Sequence, residues 1–228
     1  MVNEEEIKKQ AEDIHKELYE LNEDAKDIDQ GSKQFFKILI GFFMALIIIL
    51  MIVPYYSIKY NPEPKPIGEI EKNWDFNYTN TRLDSLYDVP GMQISNIVRG
   101  VSIQITSQAC KPSEVCYAKA LFYFVRDDIN YLSDPKYEYI QSPEETLLGA
   151  GDCEDKSILL AFLMESIGIR SRIVVIPGHA YVEVFISNAP NRYKSKNGWI
   201  PLDTTCSYCK FGEIPRENKG QKSVVIAI

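Results

Sequence analysis

The sequence predicts an α+β fold, helices packed on an antiparallel sheet, preceded by a single transmembrane helix and an N-terminal helix. Three observations carry that prediction. Sixteen consecutive apolar residues run from Ile38 to Val53, helical apolar spacing fills the stretch before residue 168, and strand-like runs joined by short links follow it. The chain has 228 residues, 45% apolar and 25% charged, with 12 Gly, 12 Pro and 5 Cys, which excludes a collagen-like, wholly disordered or disulfide-dense miniprotein class. A net charge of −7 and a pI near 5.0 argue against a basic surface for nucleic acid, and no nucleic-acid partner is expected.

Residues 1–34 form an acidic segment, with 11 Asp/Glu against 5 Lys. Ile7, Ala11, Ile14, Leu18, Leu21, Ala25 and Ile28 alternate steps of four and three, a coiled-coil seam through which the chain could form a homo-oligomer. A solvated amphipathic helix reads the same way. A helix over 35–56 is roughly 33 Å long, enough for a bilayer core of about 30 Å, with Tyr55 and Tyr56 at one interface. The run starts late and lacks a small-residue cleavage site, so it reads as a single-pass anchor rather than a cleaved signal peptide. The prolines of Asn61 to Pro66 make 57–73 an extended spacer. Lysines before the span favour a short N-terminal segment inside and an extracytoplasmic domain at 74–228.

Within that domain, 114–130 and 153–167 carry helical spacing. Residues 172–176, 180–186 and 199–205 read as successive strands, and 223–228 as one more. The segment Gly149-Ala-Gly-Asp-Cys-Glu-Asp-Lys156 places Cys153 at the first position of a helix capped by Asp152, with Asp155 as its capping-box partner. Helix-end N–H groups favour a thiolate there. Asp152, Glu154 and Asp155 oppose it, so a cationic partner is required. His179 is the domain's one imidazole, at the mouth of the strand beginning Ala180-Tyr-Val. Asp203, in the next strand, is placed to accept from its second ring nitrogen. Cys153, His179 and Asp203 then make a nucleophile, a base and an orienting group.

The blocks GAGDCEDKSILLAFLMESIGIRSRIVV, GHAYVEV and GWIPLDTT, with YFVRDDINYL at 123–132 and SPEETLL at 142–148, resemble the transglutaminase-like superfamily over roughly residues 112–206. That resemblance implies a papain-like core with Cys153 as nucleophile, His179 as general base and acid and Asp203 as orienting acid. It implies attack on a peptide or isopeptide amide through a thioester, the partner being a protein or cell-wall peptide. Hydrolysis is favoured over transfer to an amine, and a non-enzymatic membrane-anchored binding module is the alternative. Related bacterial proteinases with a similar GDCED motif bind calcium beside the cysteine, which makes Asp152 and Glu154 conceivable calcium ligands; no cofactor is required. The stretch Ser187 to Asn197 lengthens the interval between His179 and Asp203 and reads as a hairpin tip beside the cleft.

Cys110, Cys116, Cys206 and Cys209 form an even set beside the nucleophile. Disulfides, either two local or two crossed, suit an oxidising exterior, and a structural zinc on the four thiolates suits a cytosolic domain. A redox-active CxxC is the third reading. Cross-linking is expected to tie the first helix of the domain to the end of the Asp203 strand. An Asn77-Tyr-Thr79 sequon is compatible with an outside location.

Overall fold

The computed structural model describes residues 4–66, 68, 74, 83–134, 137 and 139–228, with the side chains of 15–19, 34–56, 59 and 60 in the first helix. It divides into two compact units, 1–56 and 57–228. The sequon at Asn77 and the heptad side chains other than Leu18 lie outside the described residues.

Helix α1 spans Glu4–Tyr60 and contains Gln34–Tyr56, 23 residues of mean hydropathy 2.9 with none of that window buried. By length and composition this helix is able to cross a membrane. It continues through Pro54, which costs a helix one backbone hydrogen bond without ending it here, and reaches four residues into the expected spacer. Residues 62–66 carry neither helix nor strand, but they are not free of the domain. Lys119, 1% exposed, pairs with Glu63 and donates to Asn61 Oδ1 at 2.9 Å, and the Tyr193 hydroxyl donates to the same oxygen at 2.7 Å. The Lys65 N–H reaches the Ala109 carbonyl at 2.9 Å. An ammonium buried in an apolar helix face must find partners, and this segment supplies them.

The domain is α+β, as its sequence predicts. Helices α2 (Asn96–Ala109), α3 (Glu114–Asp128), α4 (Pro143–Leu147) and α5 (Cys153–Ser166) pack around one core, with a short parallel pair β1 (Asn130–Tyr131) and β2 (Ala150–Gly151). Strands β3 (Ser171–Ile176), β4 (His179–Val184), β5 (Ile200–Leu202) and β6 (Val224–Ala227) form an antiparallel sheet in the order β5-β4-β3-β6. Helix α5 is the centre: Ile158 to Met164 are all essentially buried, because α2 and α3 cover one side and β3 and β4 the other. A helix apolar all round is stable only when enclosed in this way. Ala180, Val182 and Val184 join Ile200 and Leu202 in that core, so the opposite face of β4 carries His179, Tyr181 and Glu183. The turn Pro177-Gly178 between β3 and β4 needs the positive φ of Gly178, +74°, and thereby sets His179 as the first residue of β4, paired with Ile176.

The Ser187 to Asn197 stretch joins the antiparallel neighbours β4 and β5, as expected of a hairpin connection, and contains a 3-10 turn at Asn191–Tyr193 whose Tyr193 packs against Phe211 and reaches Asn61. One expectation changes. The four cysteines pair locally, Cys110 with Cys116 and Cys206 with Cys209, so neither bond ties a helix to the Asp203 strand. With the sulfurs so consumed, Cys110, Cys116, Cys206 and Cys209 offer no thiolates for the zinc considered from sequence.

Candidate active site

Cys153 is the first residue of α5 and the one cysteine outside a disulfide. The capping box expected of Asp152 and Asp155 is present, the Asp155 carboxylate accepting from the Asp152 N–H at 3.3 Å and from the Gln141 N–H at 2.8 Å. Close approach at this corner requires Gly151, since a Cβ there would lie 2.7 Å from that of Asp155. Pairing of β1 with β2 brings Tyr131 opposite Gly151, and the charges of Cys153, Asp152 and Glu154 add to burial in raising its hydroxyl above the ordinary tyrosine range.

The imidazole and the carboxylate meet as the sequence suggests. His179 Nε2 lies 2.8 Å from Asp203 Oδ2, and Asp203 is wholly buried. Asp203 stands one residue beyond β5 rather than within a strand. Its Oδ1 captures the N–H groups of Thr205 at 3.0 Å and Cys206 at 3.2 Å and the Thr205 hydroxyl at 2.8 Å, a local turn that competes with further ladder pairing. Burial alone pushes the Asp203 carboxyl up. The hydrogen bond and charge of His179 and the Thr205 donors outweigh it and hold the group below the usual aspartate range.

The thiol departs from expectation. Cys153 Sγ donates to Glu154 Oε2 at 3.1 Å, and its hydrogen bond goes to that carboxylate rather than to the imidazole. Burial first, then the Glu154 hydrogen bond and charge, push the thiol up to about 12; only the Ala180 backbone N–H among the larger influences pulls it down. Since Ala180 follows His179, the sulfur sits beside the strand that carries the imidazole, yet at rest it is a thiol and not the thiolate of an ion pair. The physical reason is that burial first, and then a carboxylate one residue along, favour the protonated form more than the helix end favours the anion.

Two charged groups missed from sequence hold the frame. Lys156, 2% exposed, donates from Nζ to the Ile129 carbonyl at 2.8 Å and the Arg126 carbonyl at 3.4 Å, tying α5 to the end of α3; burial lowers its ammonium to about 8. Arg126 then sends Nη1 to the Cys209 carbonyl at 2.6 Å, fixing the loop after Asp203, while Nε and Nη2 grip Asp127.

A thiol at the tip of a central helix, beside a sheet carrying a hydrogen-bonded imidazole and carboxylate, defines an α+β fold of the papain-like kind. The profile of the Transglutaminase-like superfamily matches residues 99–204, spanning all three residues up to Asp203, and the chain carries a domain of that superfamily. No curated protein matches. Among solved structures, a candidate cysteine protease from Cytophaga hutchinsonii aligns with a TM-score of 0.42 at 14% identity, over 75% of this chain and 51% of that one. The chain therefore spans about half the length of that protein. Calcium-bound LapG from Legionella pneumophila aligns with a TM-score of 0.38 at 20% identity, over 61% of this chain and 83% of that one.

Proposed function

We propose that the chain is a single-pass membrane-anchored cysteine hydrolase that cleaves a peptide or isopeptide amide through a thioester. The observation that carries this reading is the buried Asp203 holding His179 at 2.8 Å, one residue before the Ala180 N–H that faces Cys153. With Nε2–H directed at Asp203, Nδ1 is the ring nitrogen left to take a proton. In the reading, Nδ1 takes the Cys153 proton as Sγ bonds to the substrate carbonyl carbon. The tetrahedral intermediate then breaks its C–N bond, and the proton passes to the leaving amine. Water, deprotonated by the same nitrogen, cleaves the thioester and restores the thiol. The backbone N–H of Cys153, at the free end of α5, is the donor proposed for the oxyanion.

For the thiol to react, the hold of Glu154 must loosen. Carboxylate oxygens of Asp152 and Glu154 lie with Cys153 Sγ within 4.8 Å of one another, a hard-donor pair that suits calcium with carbonyls and water completing its shell. Asp152 and Glu154 are the residues proposed to hold it, and a divalent charge there offsets the carboxylate charge that favours the neutral thiol. The anchor reading rests on the apolar helix, and the extracytoplasmic placement is supported by two disulfides, which persist in oxidising surroundings. Protease protection on sealed vesicles tests that placement.

The thiol pushed up to about 12 favours one second reading, a binding module that keeps the fold without turnover. Incubation of the full chain with candidate peptides, with and without calcium, separates the readings by mass spectrometry. Hydrolysis gives two fragments that together weigh one water more than the peptide. Added amine is incorporated if transfer occurs. An unchanged peptide pool under every condition contradicts the enzyme.

A further inference from the structure

The open face of the sheet, on the side of β4 away from α5, holds a cavity of about 430 Å³ that begins at Tyr181, two residues along β4 from His179. The rings of His179 and Tyr181 stack with centroids 6.5 Å apart and planes 28° apart, so the cavity adjoins the imidazole along one strand face. Its charge is lopsided. The acid on its wall among the described residues is Glu183, and Arg172 neutralises it, with Nε 2.8 Å from Oε2 and the guanidinium over the Trp199 ring at 4.0 Å. Arg192, Lys194 and Lys219 remain as the wall's other charges, all positive, in a chain whose net charge is −7.

Two of these cations are held in place. Lys194 Nζ donates to the Ser187 carbonyl at 2.8 Å, and Arg192 lies over the Tyr193 ring at 4.9 Å while donating to its hydroxyl at 3.1 Å. Tyr193 in turn is seated on Gly212, where a Cβ would approach its ring within 2.9 Å. Arg192 and Lys194 are therefore presented by a fixed wall, and less side-chain entropy is lost when a ligand binds them.

We infer that this cavity is a substrate subsite that takes an acidic side chain, Asp or Glu, of the peptide whose amide lies at Cys153. The inference deepens the proposed hydrolase by naming its substrate class, and it rests on that reading only for the cleaved bond. Carboxylates on a peptide suit a wall whose remaining charges are three cations, and such pairing supplies selectivity and a salt-dependent on-rate.

The test uses the full chain with Cys153→Ala, so that binding is read without turnover. A fluorescently labelled hexapeptide of alternating Glu and Gly is titrated by anisotropy against its Gln-Gly isostere. The Glu peptide is expected to bind about tenfold more tightly, with the difference shrinking as salt rises. The double reversal Arg192→Glu with Lys194→Glu, checked for an unchanged melting temperature, is expected to abolish that preference and to favour a Lys-Gly peptide. Equal affinity for the acidic and amide peptides overturns the subsite, as does an acidic preference that survives the reversal. An inactive parent enzyme leaves these outcomes unaffected, so failure of the subsite and failure of the hydrolase are read separately.

Discussion

The thiol of Cys153 is hydrogen-bonded to the carboxylate of its own neighbour Glu154, at 3.1 Å, and this contact adds to burial in keeping the sulfur protonated at rest. With the thiol pushed up to about 12, only about one sulfur in ten thousand is ionised at pH 8. Glu154→Gln removes the charge while keeping the shape. Alkylation of Cys153 by iodoacetamide at pH 8 is expected to accelerate about tenfold, corresponding to about one unit of thiol acidity. An unchanged rate means that burial alone keeps the proton on sulfur.

Asp203→Asn keeps the volume of a wholly buried side chain but gives His179 a neutral partner. Hydrolysis is expected to fall roughly a hundred- to ten-thousandfold, with KM little altered, because the group acts on the base and not on the substrate. Its stability carries a second signature. Since the folded carboxyl is held below the usual range, its contribution is present above the unfolded value of about 3.9 and is lost as pH falls. Urea unfolding of the two proteins is therefore expected to converge in acid.

Asp155 behaves in the opposite sense. Burial is the largest influence on its carboxyl, which rises from 3.8 to about 7 despite the N–H donors of Gln141 and Asp152. The folded chain binds more protons than the unfolded one between those values. The stability contributed is complete below about pH 4 and lost as pH rises through about 7. Relative to Asp155→Asn, the wild type is expected to lose up to about 4 kcal/mol across that window, at 1.36 kcal/mol per unit. Denaturant midpoints measured at several pH values check the slope.

Lys156→Met leaves the Ile129 and Arg126 carbonyls without the ammonium that reaches them. Stability at pH 7 is expected to change by about 1–3 kcal/mol toward the unfolded state. Because the folded ammonium is lowered from 10.5 to about 8, the unfolded chain binds more protons between those values. Wild-type stability therefore gains on the variant as pH rises through that interval. A flat difference from pH 7 to 10 counts against the buried ammonium.

The fold was legible where one residue pattern had one physical solution. The all-apolar run after Cys153 has to be an enclosed helix, and the β-branched residues of 172–176 and 180–184 have to be strands beside it. The Asp203 partner was legible too, since the domain has one imidazole and the next strand ends in one aspartate. The end of β5 at Leu202 was not, because an aspartate that binds its own backbone leaves no period to read. Nor was the contact of the 61–66 segment with Lys119, which joins groups 56 residues apart in sequence. The direction of the thiol was half legible. The acids around Cys153 announced that a thiolate would be opposed, but which carboxylate takes the hydrogen bond depends on rotamers no spacing records.

The proposed hydrolysis requires Cys153 to act as a nucleophile whose proton leaves through His179. Acid-quenched mass spectrometry of the intact chain, mixed with p-nitrophenyl acetate, reads the thioester itself. The expected result is one acetyl group on Cys153, absent from Cys153→Ala and formed at least a hundredfold more slowly in His179→Ala. Acetylation at the same rate with and without the imidazole contradicts the mechanism.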